Sequence, residues 1–362
     1  MKINLKALQA EEITEFAENL GQSRYKANQI INWLYKKYAS SFTDMTDLSK
    51  SFKDILDKKA FISNLKILKV QVSKDGTHKF LFELEDSRTI ESVLIPDSDR
   101  LTLCISSQVG CAMGCEFCIT GSLKLKRNLR AHEIFDQVIT VQRLVSENKV
   151  RLRQGFYSRK ITNIVFMGMG EPLNNLPEVI EAVRKLTGLL GFSKRRITVS
   201  TCGIVPGIDE LARGRTGVNL AVSLNAVTDA ARNKIMPVNK KYPLHKLVQA
   251  CRKYPLPPGR RITFEYVLLK GINDSMDDAV RLVRLLKGIR AKVNLIPFNE
   301  PVKNSGFSKP SEAGVLAFQK VLLDAKIAAI IRKSRGRDIS AACGQLGALK
   351  WTRAGKPVLP SG

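Results

Sequence analysis

The sequence predicts an α/β protein, a partial (β/α)6 barrel preceded by a small helical domain and a short β-rich connector. Three observations support this fold class: helical periodicity in residues 1–60, alternating runs in residues 61–98, and strand-like and helical runs that take turns through residues 99–335. Repeated β/α units form parallel sheets, and about six or seven strands are too few for a closed eight-stranded barrel. Residues 336–362 form a separate C-terminal tail.

The N-terminal domain, residues 1–60, is predicted to be helical and basic. Ala27, Ile30, Ile31 and Leu34 recur with the spacing of one helix face, and Lys and Arg residues stand among them. A module of this kind can be a simple packing appendage. In an enzyme that acts on a polyanionic polymer, it more often helps to grip the backbone of that polymer.

The connector, residues 61–98, is predicted to be a three-stranded meander. Alternation runs from Lys66 to Ser73, from Lys79 to Leu84 and from Ile90 to Ile95. The dipeptide Asp75-Gly76 supplies a turn between the first two strands. The meander leads directly into the first strand of the barrel, Leu101 to Ser106.

The barrel region, residues 99–335, continues with strands and helices in alternation. The further strands are predicted at Ile161 to Met167, Arg196 to Ser200, Val218 to Leu224, Ile262 to Leu269, Val293 to Phe298 and Ile327 to Ile331. The helices are predicted at Ala131 to Ser146, Glu178 to Leu190, Leu244 to Tyr254, Met276 to Leu286 and Gly314 to Ala325. Barrels of this type carry their chemistry at the C-terminal ends of the strands, so functional residues are expected there.

Composition points to a polyanionic partner. The chain has 59 Lys and Arg residues against 33 Asp and Glu residues, a net charge of +26. A basic proteome or an anionic membrane surface are the alternatives, but the basic residues are spread over several segments instead of one amphipathic helix, which favours nucleic acid. With no run of eighteen apolar residues and a charged N-terminus, we expect a cytoplasmic monomer that does not enter a membrane.

The most specific motif is CAMGCEFC, in which Cys111, Cys115 and Cys118 have the spacing CxxxCxxC. Three thiolates can hold three irons of one 4Fe-4S cluster and leave the fourth iron open. A structural zinc is the alternative, but the nearest downstream histidine, His132, is too distant for a compact finger. The pattern resembles the radical S-adenosylmethionine (SAM) superfamily. That resemblance implies a radical SAM barrel, with SAM on the open iron and a 5′-deoxyadenosyl radical formed by its reductive cleavage.

Further candidate SAM contacts follow the predicted strands. The sequence GMGEP follows one strand, and its Gly170 and Glu171 match a superfamily motif that contacts the SAM amino group, although a plain βα turn would read similarly. Other strand ends carry small polar residues suited to ribose or carboxylate contacts, each of which could also be an ordinary cap or turn residue. These candidates, with the leucine between two of them, are Ser200, Ser223, Leu224, Asn225 and Asn299.

The resemblance becomes narrower when the motifs are taken in order. The stretches LTLCISSQVGCAMGCEFCITG, MGMGEPLNN, RRITVSTCGIVPGI, LAVSLNA, LIPFNE and RGRDISAACGQL resemble the RlmN family of RNA adenine carbon-2 methyltransferases through most of the chain. Relatives of the Cfr type, which methylate carbon 8 of the same adenine, share most of these motifs and remain the alternative.

Membership of this family would assign roles to three more residues. It implies that Cys343 accepts a methyl group from one SAM and that a second SAM supplies the radical that activates this group for transfer to the base. It further implies that Cys104 resolves the resulting adduct, ending as the disulfide partner of Cys343, and that Glu91 is a proton acceptor. Taken alone, Cys104 would be a core residue and Glu91 an exposed strand carboxylate, and the cations near Cys343 are expected to lower the pKa of its thiol.

The family also implies the partners. They are 23S rRNA at the peptidyl-transferase centre, the anticodon-adjacent adenosine of certain tRNAs, and an external electron donor resembling flavodoxin. The segment from Ile331 to Gly362 has a net charge of +6 and is expected to seat RNA near Cys343. Two rivals remain: a methylthiotransferase, which would need a cysteine trio before Cys104 where none exists, and a non-catalytic, metal-stabilised RNA-binding protein.

Overall fold

A computed structural model describes residues 2–152, 160–299, 306–347, 350–351 and 357–358, and its centre is a ten-stranded sheet. In chain order the strands are β1 (Lys66–Val72), β2 (His78–Glu83), β3 (Thr89–Asp97), β4 (Arg100–Cys104), β5 (Asn163–Phe166), β6 (Ile197–Thr201), β7 (Asn219–Ser223), β8 (Ile262–Leu268), β9 (Ala291–Pro297) and β10 (Ala328–Ile331). Each strand pairs with its neighbours in the sequence of strands, so the spatial order is also the chain order.

The seven strands β4–β10 are parallel, and helices connect them. The helices of this region are α4 (Ile119–Ser122), α5 (Ala131–Ser146), α6 (Leu176–Gly188), α7 (Val205–Arg213), α8 (Asp229–Ile235), α9 (Leu244–Lys253), α10 (Met276–Leu286) and α11 (Glu312–Asp324). In the part of the chain that the structure describes, β10 pairs only with β9, so the barrel stays open. The predicted partial barrel is confirmed, and it has the larger of the two expected numbers of strands.

The two faces of the parallel sheet differ in chemistry because side chains alternate along each strand. One face is apolar and buried, for example at Leu103, Phe166 and Val222. In-register neighbours on the other face are polar: Ser223 pairs with Glu265, and Glu265 pairs with Asn294. A parallel sheet normally has apolar side chains on both faces. The polar face of this sheet is therefore the candidate surface for binding a ligand.

The connector is the antiparallel meander that the sequence predicts, and it extends the barrel sheet by β1–β3. Gly76 has a φ of +86°, and its N–H donates to Ser73 O at 3.0 Å, closing the turn between β1 and β2. The strand bounds differ from the predicted ones by one or two residues. Such differences are expected, because strand ends depend on pairing that a single sequence does not display.

The N-terminal region contains α1 (Ala10–Asn19), α2 (Arg24–Tyr35) and α3 (Lys50–Lys59), with a short ladder of Ile3–Asn4 against Ala60–Phe61. A buried ion pair joins it to α5, with Lys6 Nζ 2.9 Å from Asp136 Oδ1. Ser63 Oγ donates to the other oxygen of the same carboxylate at 2.6 Å. The Tyr35 ring meets the Phe135 ring edge-on, with centroids 5.6 Å apart. The helical region is therefore packed against the barrel.

The chain after β10 returns to the meander. Asp338 Oδ1 accepts from Ser73 Oγ at 2.6 Å, and its Oδ2 accepts from Lys74 N–H at 3.1 Å. Asp75 Oδ2 accepts from Gly336 N–H at 2.9 Å. A final ladder pairs Lys350–Trp351 with Pro357–Val358. None of the described helices is long and apolar enough to cross a membrane.

Candidate active site

A loop of residues 110–126 follows β4 and carries the three motif cysteines. Its base is closed by a short ladder of Gln108–Val109 against Arg127–Asn128. Gly110 has a φ of +77°, and a Cβ there would lie 1.9 Å from the Lys124 carbonyl oxygen. Only glycine fits this position, which directly precedes Cys111.

The three motif cysteines are free thiols in a confined environment. Burial raises the pKa of Cys111 to about 11, and burial also raises the pKa values of Cys115 and Cys118. The charge of Cys118 further raises the pKa of Cys111 and of Cys115. Thiols bind metals as thiolates, and a bound cation would offset the cost of ionising them here.

The chemistry of the three thiols suits an iron-sulfur cluster, whose irons are bound by cysteine thiolates. Within the described ranges, no three His, Cys, Asp or Glu side chains converge closely enough to hold one metal ion. A 4Fe-4S cube distributes its thiolates over different irons, so they stand farther apart than the ligands of a single zinc. Three cysteine thiols, those of Cys111, Cys115 and Cys118, are the donor type that such a cluster takes.

The glycines after β5 allow a close approach to the chain that leads from β4. A Cβ on Gly168 would lie 2.7 Å from Ile105 O. Gly170 has a φ of +100°, and a Cβ there would lie 2.5 Å from Gln108 Cβ. The GMGEP sequence is therefore required for packing as well as for any ligand contact.

Glu171 is buried beside the cysteine loop. Its Oε1 accepts from Leu173 N–H at 3.0 Å, and its Oε2 accepts from Cys202 N–H at 2.7 Å. Burial raises the pKa of this carboxyl, and the hydrogen bonds oppose that effect. Its charge acts on both Cys111 and Cys115. The structure thus brings this predicted SAM contact next to the predicted cluster ligands.

The remaining predicted SAM contacts lie at or just beyond the C-terminal ends of β6, β7 and β9. Ser200 and Ser223 are partly exposed, whereas Leu224 is buried. Asn225 has a left-handed φ of +56°, and its Oδ1 accepts from Val267 N–H at 2.8 Å. This side chain joins two strand ends, a packing role that the sequence did not indicate.

Asn299 is buried two residues after β9, at a basic cleft of about 330 Å³. Arg332, Lys333 and Arg337 also line this cleft. The predicted RNA-binding residues Arg353 and Lys356, and the side chain of Lys350, lie outside the described residues. Arg335, in the same basic stretch, has its guanidinium 3.0 Å from Asp97 Oδ1.

Two of the four cysteines outside the motif, Cys104 and Cys343, belong to this site. Cys104 is the buried last residue of β4. Burial raises its pKa, and the charge of Cys343 raises it further. The neighbouring strand β3 carries Glu91, whose carboxylate accepts from Gly347 N–H in the Cys343 segment. The segment around Cys343 is bound to the residues after Cys118: Ile119 N–H donates to Gly344 O at 2.8 Å. Cys343, Cys104 and the cysteine loop therefore form one site.

Two expectations at this site are wrong. Glu91 is buried instead of exposed. Its Oε1 lies 3.3 Å from Lys79 Nζ, and its Oε2 accepts from Gly347 N–H at 2.7 Å. The pKa of the Cys343 thiol is raised, to about 11, instead of lowered. Burial and the charge of Glu265 raise it, and the single cation Arg332 does not compensate. Cys343 is nevertheless exposed at the surface of the site.

Three charged residues of this site escaped the sequence reasoning: Lys79, Arg232 and Glu265. Lys79 pairs with Glu91, and Arg232 is fully buried near the ends of β6 and β7. Glu265 lies on the polar face, where Asn294 Nδ2 donates to its Oε1 at 2.9 Å. The alternation of β8 places Glu265 opposite its apolar neighbours and could have identified it, whereas Lys79 and Arg232 carry no local signal.

Family models match two parts of the chain. One, described as the ribosomal RNA large subunit methyltransferase N-terminal domain, matches residues 3–62. The other, the radical SAM superfamily model, matches residues 105–283.

Full-length relatives agree. The dual-specificity RNA methyltransferase RlmN of Geobacter sulfurreducens is 52% identical over 362 residues, covering 98% of this chain and 96% of the relative. The protein of the same name from Geotalea uraniireducens is 52% identical over 347 residues, covering 95% and 96%. A crystal structure of a radical SAM methyltransferase from Sphaerobacter thermophilus superimposes with a TM-score of 0.88 at 43% identity, covering 95% of this chain and 99% of that one. The chain belongs to the RlmN family of radical SAM methyltransferases.

Proposed function

We propose that this enzyme methylates carbon 2 of one adenine in the peptidyl-transferase centre of 23S rRNA and of the anticodon-adjacent adenine in tRNAs. The observation that supports the proposal is that the Cys343 segment is hydrogen-bonded both to the cysteine loop and to β3, the strand that pairs with the Cys104 strand. A radical SAM enzyme that only cleaved SAM would need the loop alone. The additional thiols of Cys343 and Cys104 are required if the methyl group is first attached to the protein and then transferred to the RNA. The relatives named as dual-specificity RNA methyltransferases support both substrate classes.

The residues of the site fit one 4Fe-4S cluster and SAM. Cys111, Cys115 and Cys118 would hold the cluster, and Gly170 and Glu171 would contact SAM. Ser200, Ser223, Leu224, Asn225 and Asn299 are the further proposed SAM contacts. When bound, these groups supply the one-electron cleavage that activates an unreactive methyl carbon. An external one-electron donor, of the flavodoxin type, is required for that step, and we propose that the enzyme works as a cytoplasmic monomer.

In this scheme, Cys343 carries the methyl group as a thioether and Cys104 resolves the adduct with the base. The Cys104 thiolate bonds to the Cys343 sulfur as the bond between Cys343 and the transferred carbon breaks. The electron pair of the broken bond stays on that carbon, which takes up a proton and becomes the methyl group. Glu91 accepts the proton that leaves carbon 2. The resulting disulfide then needs two electrons from an external thiol before the next turnover.

RNA recognition agrees with the charge of the chain. An adenine within a base stack cannot present carbon 2 to the thiol of Cys343, so the target base must be flipped out of the stack. Residues Arg332, Lys333 and Arg337 offer phosphate contacts at the cleft beside Asn299. The basic residues Arg353 and Lys356 of the tail are proposed to contribute to RNA binding as well.

Mass spectrometry of nucleosides from treated RNA tests the proposal. The anaerobically reconstituted enzyme, given SAM, a reductant and either a 23S rRNA fragment or tRNA, should yield 2-methyladenosine. The Cys343→Ala variant should yield none, and Cys104→Ala should accumulate covalently bound RNA. If 8-methyladenosine is the only product, the carbon-8 alternative replaces our proposal. A colourless protein that binds zinc and does not cleave SAM would exclude both.

A further inference from the structure

Arg232, in α8, is a fully buried cation at the C-terminal ends of β6 and β7. Its Nε donates to Leu224 O at 2.9 Å, and its NH2 nitrogen donates to Cys202 O at 2.6 Å and to Ser223 O at 3.2 Å. Its NH1 nitrogen donates to Asn239 Oδ1 at 3.0 Å. Every nitrogen of the guanidinium is therefore used, and every acceptor is neutral.

The charge of Arg232 has no direct counter-ion in the described chain. Among the described residues, no carboxylate lies within ion-pair distance of its guanidinium. Hydrogen bonds to carbonyl oxygens satisfy the donors, but they do not neutralise a buried charge, and an uncompensated charge in the interior is costly. A cation kept at such a position implies an anion nearby.

Asp229 is linked to the Arg232 guanidinium through Asn239, but it is exposed to water, so the cysteine loop is the stronger candidate for that anion. One turn after Arg232, Ile235 O accepts from Glu116 N–H at 3.1 Å, so α8 is bonded to the loop between Cys115 and Cys118. Cys115 packs against an apolar cluster that includes Ile235 and Cys202, the residue whose carbonyl oxygen Arg232 holds. Because this cluster is apolar, the charge of Arg232 acts on the cysteine loop more strongly than it would through water.

We propose that Arg232 is the internal counter-charge of the 4Fe-4S cluster and sets its reduction potential. Reduction of the cluster by an external one-electron donor adds one negative charge, and a fixed cation in an apolar medium stabilises the reduced state. Arg232 touches no ligand, so it is a positioning and electrostatic residue instead of a catalytic one. The inference depends on the proposed function only in requiring that the loop binds a cluster.

A redox titration followed by electron paramagnetic resonance tests the proposal without measuring methylation. In Arg232→Met, which removes the charge and retains much of the volume, the equilibrium between reduced and oxidised cluster should shift at least tenfold towards the oxidised form. For a one-electron couple this equals 59 mV towards lower potential. Arg232→Lys, which keeps the charge, should shift it much less. Arg184→Met, at an exposed arginine of α6, is the matched control for net charge and should leave the potential unchanged.

The outcomes separate the two proposals. If the wild-type protein loads no 4Fe-4S cluster, the proposed function fails. If the wild type loads a cluster and cleaves SAM, but Arg232→Met has the wild-type potential, or Arg232→Lys shifts it equally, only the role of Arg232 is overturned.

A second variant covers the case in which Arg232→Met does not fold. Asp229 is exposed at the start of α8, and its Oδ1 accepts from Leu244 N–H and from Asn239 Nδ2, both at 2.9 Å. Asp229→Asn keeps an oxygen at that position and removes a negative charge near Arg232. It should move the potential in the opposite direction, to a higher value and by a smaller amount. An unchanged or lower potential in this variant contradicts the proposal.

Discussion

At the scale of single residues, the pair of Lys79 and Glu91 governs the position of Cys343. Both side chains are only 2% exposed. Lys79 Nζ donates to Ser340 O at 3.2 Å, and Glu91 Oε2 accepts from Gly347 N–H at 2.7 Å. The ion pair therefore holds the Cys343 segment on both sides of the thiol, and a Glu91 that accepts a proton during catalysis would also be a structural anchor.

Replacing Lys79 with Met should destabilise the protein by about 3 kcal/mol, because it leaves a buried carboxylate without its cation. Urea unfolding followed by circular dichroism measures the change. The double variant Lys79→Met, Glu91→Gln should recover part of the loss, since no buried charge then remains uncompensated. Additive losses in the double variant would show that the two side chains do not stabilise each other.

At the scale of elements, the Cys343 segment is held on the turn between β1 and β2 by hydrogen bonds, a contact that we call the dock. Hydrogen bonds from Ser73 and Lys74 hold the pKa of Asp338 below its ordinary value of 3.8. Burial raises the pKa of Asp75, but hydrogen bonds from Thr77 and Gly336 lower it by more, so the net value is also below 3.8. Both carboxylates therefore favour docking when ionised. The contact between this turn and the Cys343 segment should be independent of pH above the pKa that these carboxyls have in the unfolded chain. It should weaken as the pH falls below that pKa.

The variant Asp75→Asn, Asp338→Asn should loosen this dock at neutral pH. We expect amide exchange at Gly336 and Ala341 to accelerate about tenfold, which corresponds to about 1.4 kcal/mol of local stability. Exchange in the buried parallel strands should stay unchanged. Asp324→Asn, at an exposed surface pair with Lys320, is the control. Acceleration throughout the sheet would instead indicate global destabilisation and contradict a local dock.

At the scale of the whole molecule, sequence patterns account for the elements but not for the contacts between them. The alternation in β1–β3 and the helix period in α5 are local, so the ten strands and the helices α5, α6, α9, α10 and α11 were predictable to within about two residues. The helices α4, α7 and α8 were not predicted. The environment of Glu91 depends on Gly347, far away in the chain, and no local pattern encodes that contact. The same applies to Arg232, whose acceptors come from two strand ends, and to Lys6, whose partner lies on α5.

The N-terminal helices and the barrel share one continuous core, which runs from Ile13 and Leu34 through Phe135 to Phe264. We therefore expect them to unfold together. Trp33 lies in α2, and Trp351→Phe makes it the only tryptophan, so its fluorescence reports on the N-terminal region. Its unfolding curve should coincide with that of circular dichroism, which reports on the whole chain.

Lys6→Met in this background should lower the stability by about 3 kcal/mol in one transition, because it breaks the buried pair with Asp136. Lys66→Met, which breaks an exposed pair with Glu83, is the matched control and should cost less than about 1 kcal/mol. If the fluorescence transition of Lys6→Met precedes the circular dichroism transition, the helical region unfolds independently. The buried pair would then stabilise only the attachment of that region to α5, and the continuous core would not make the molecule one cooperative unit.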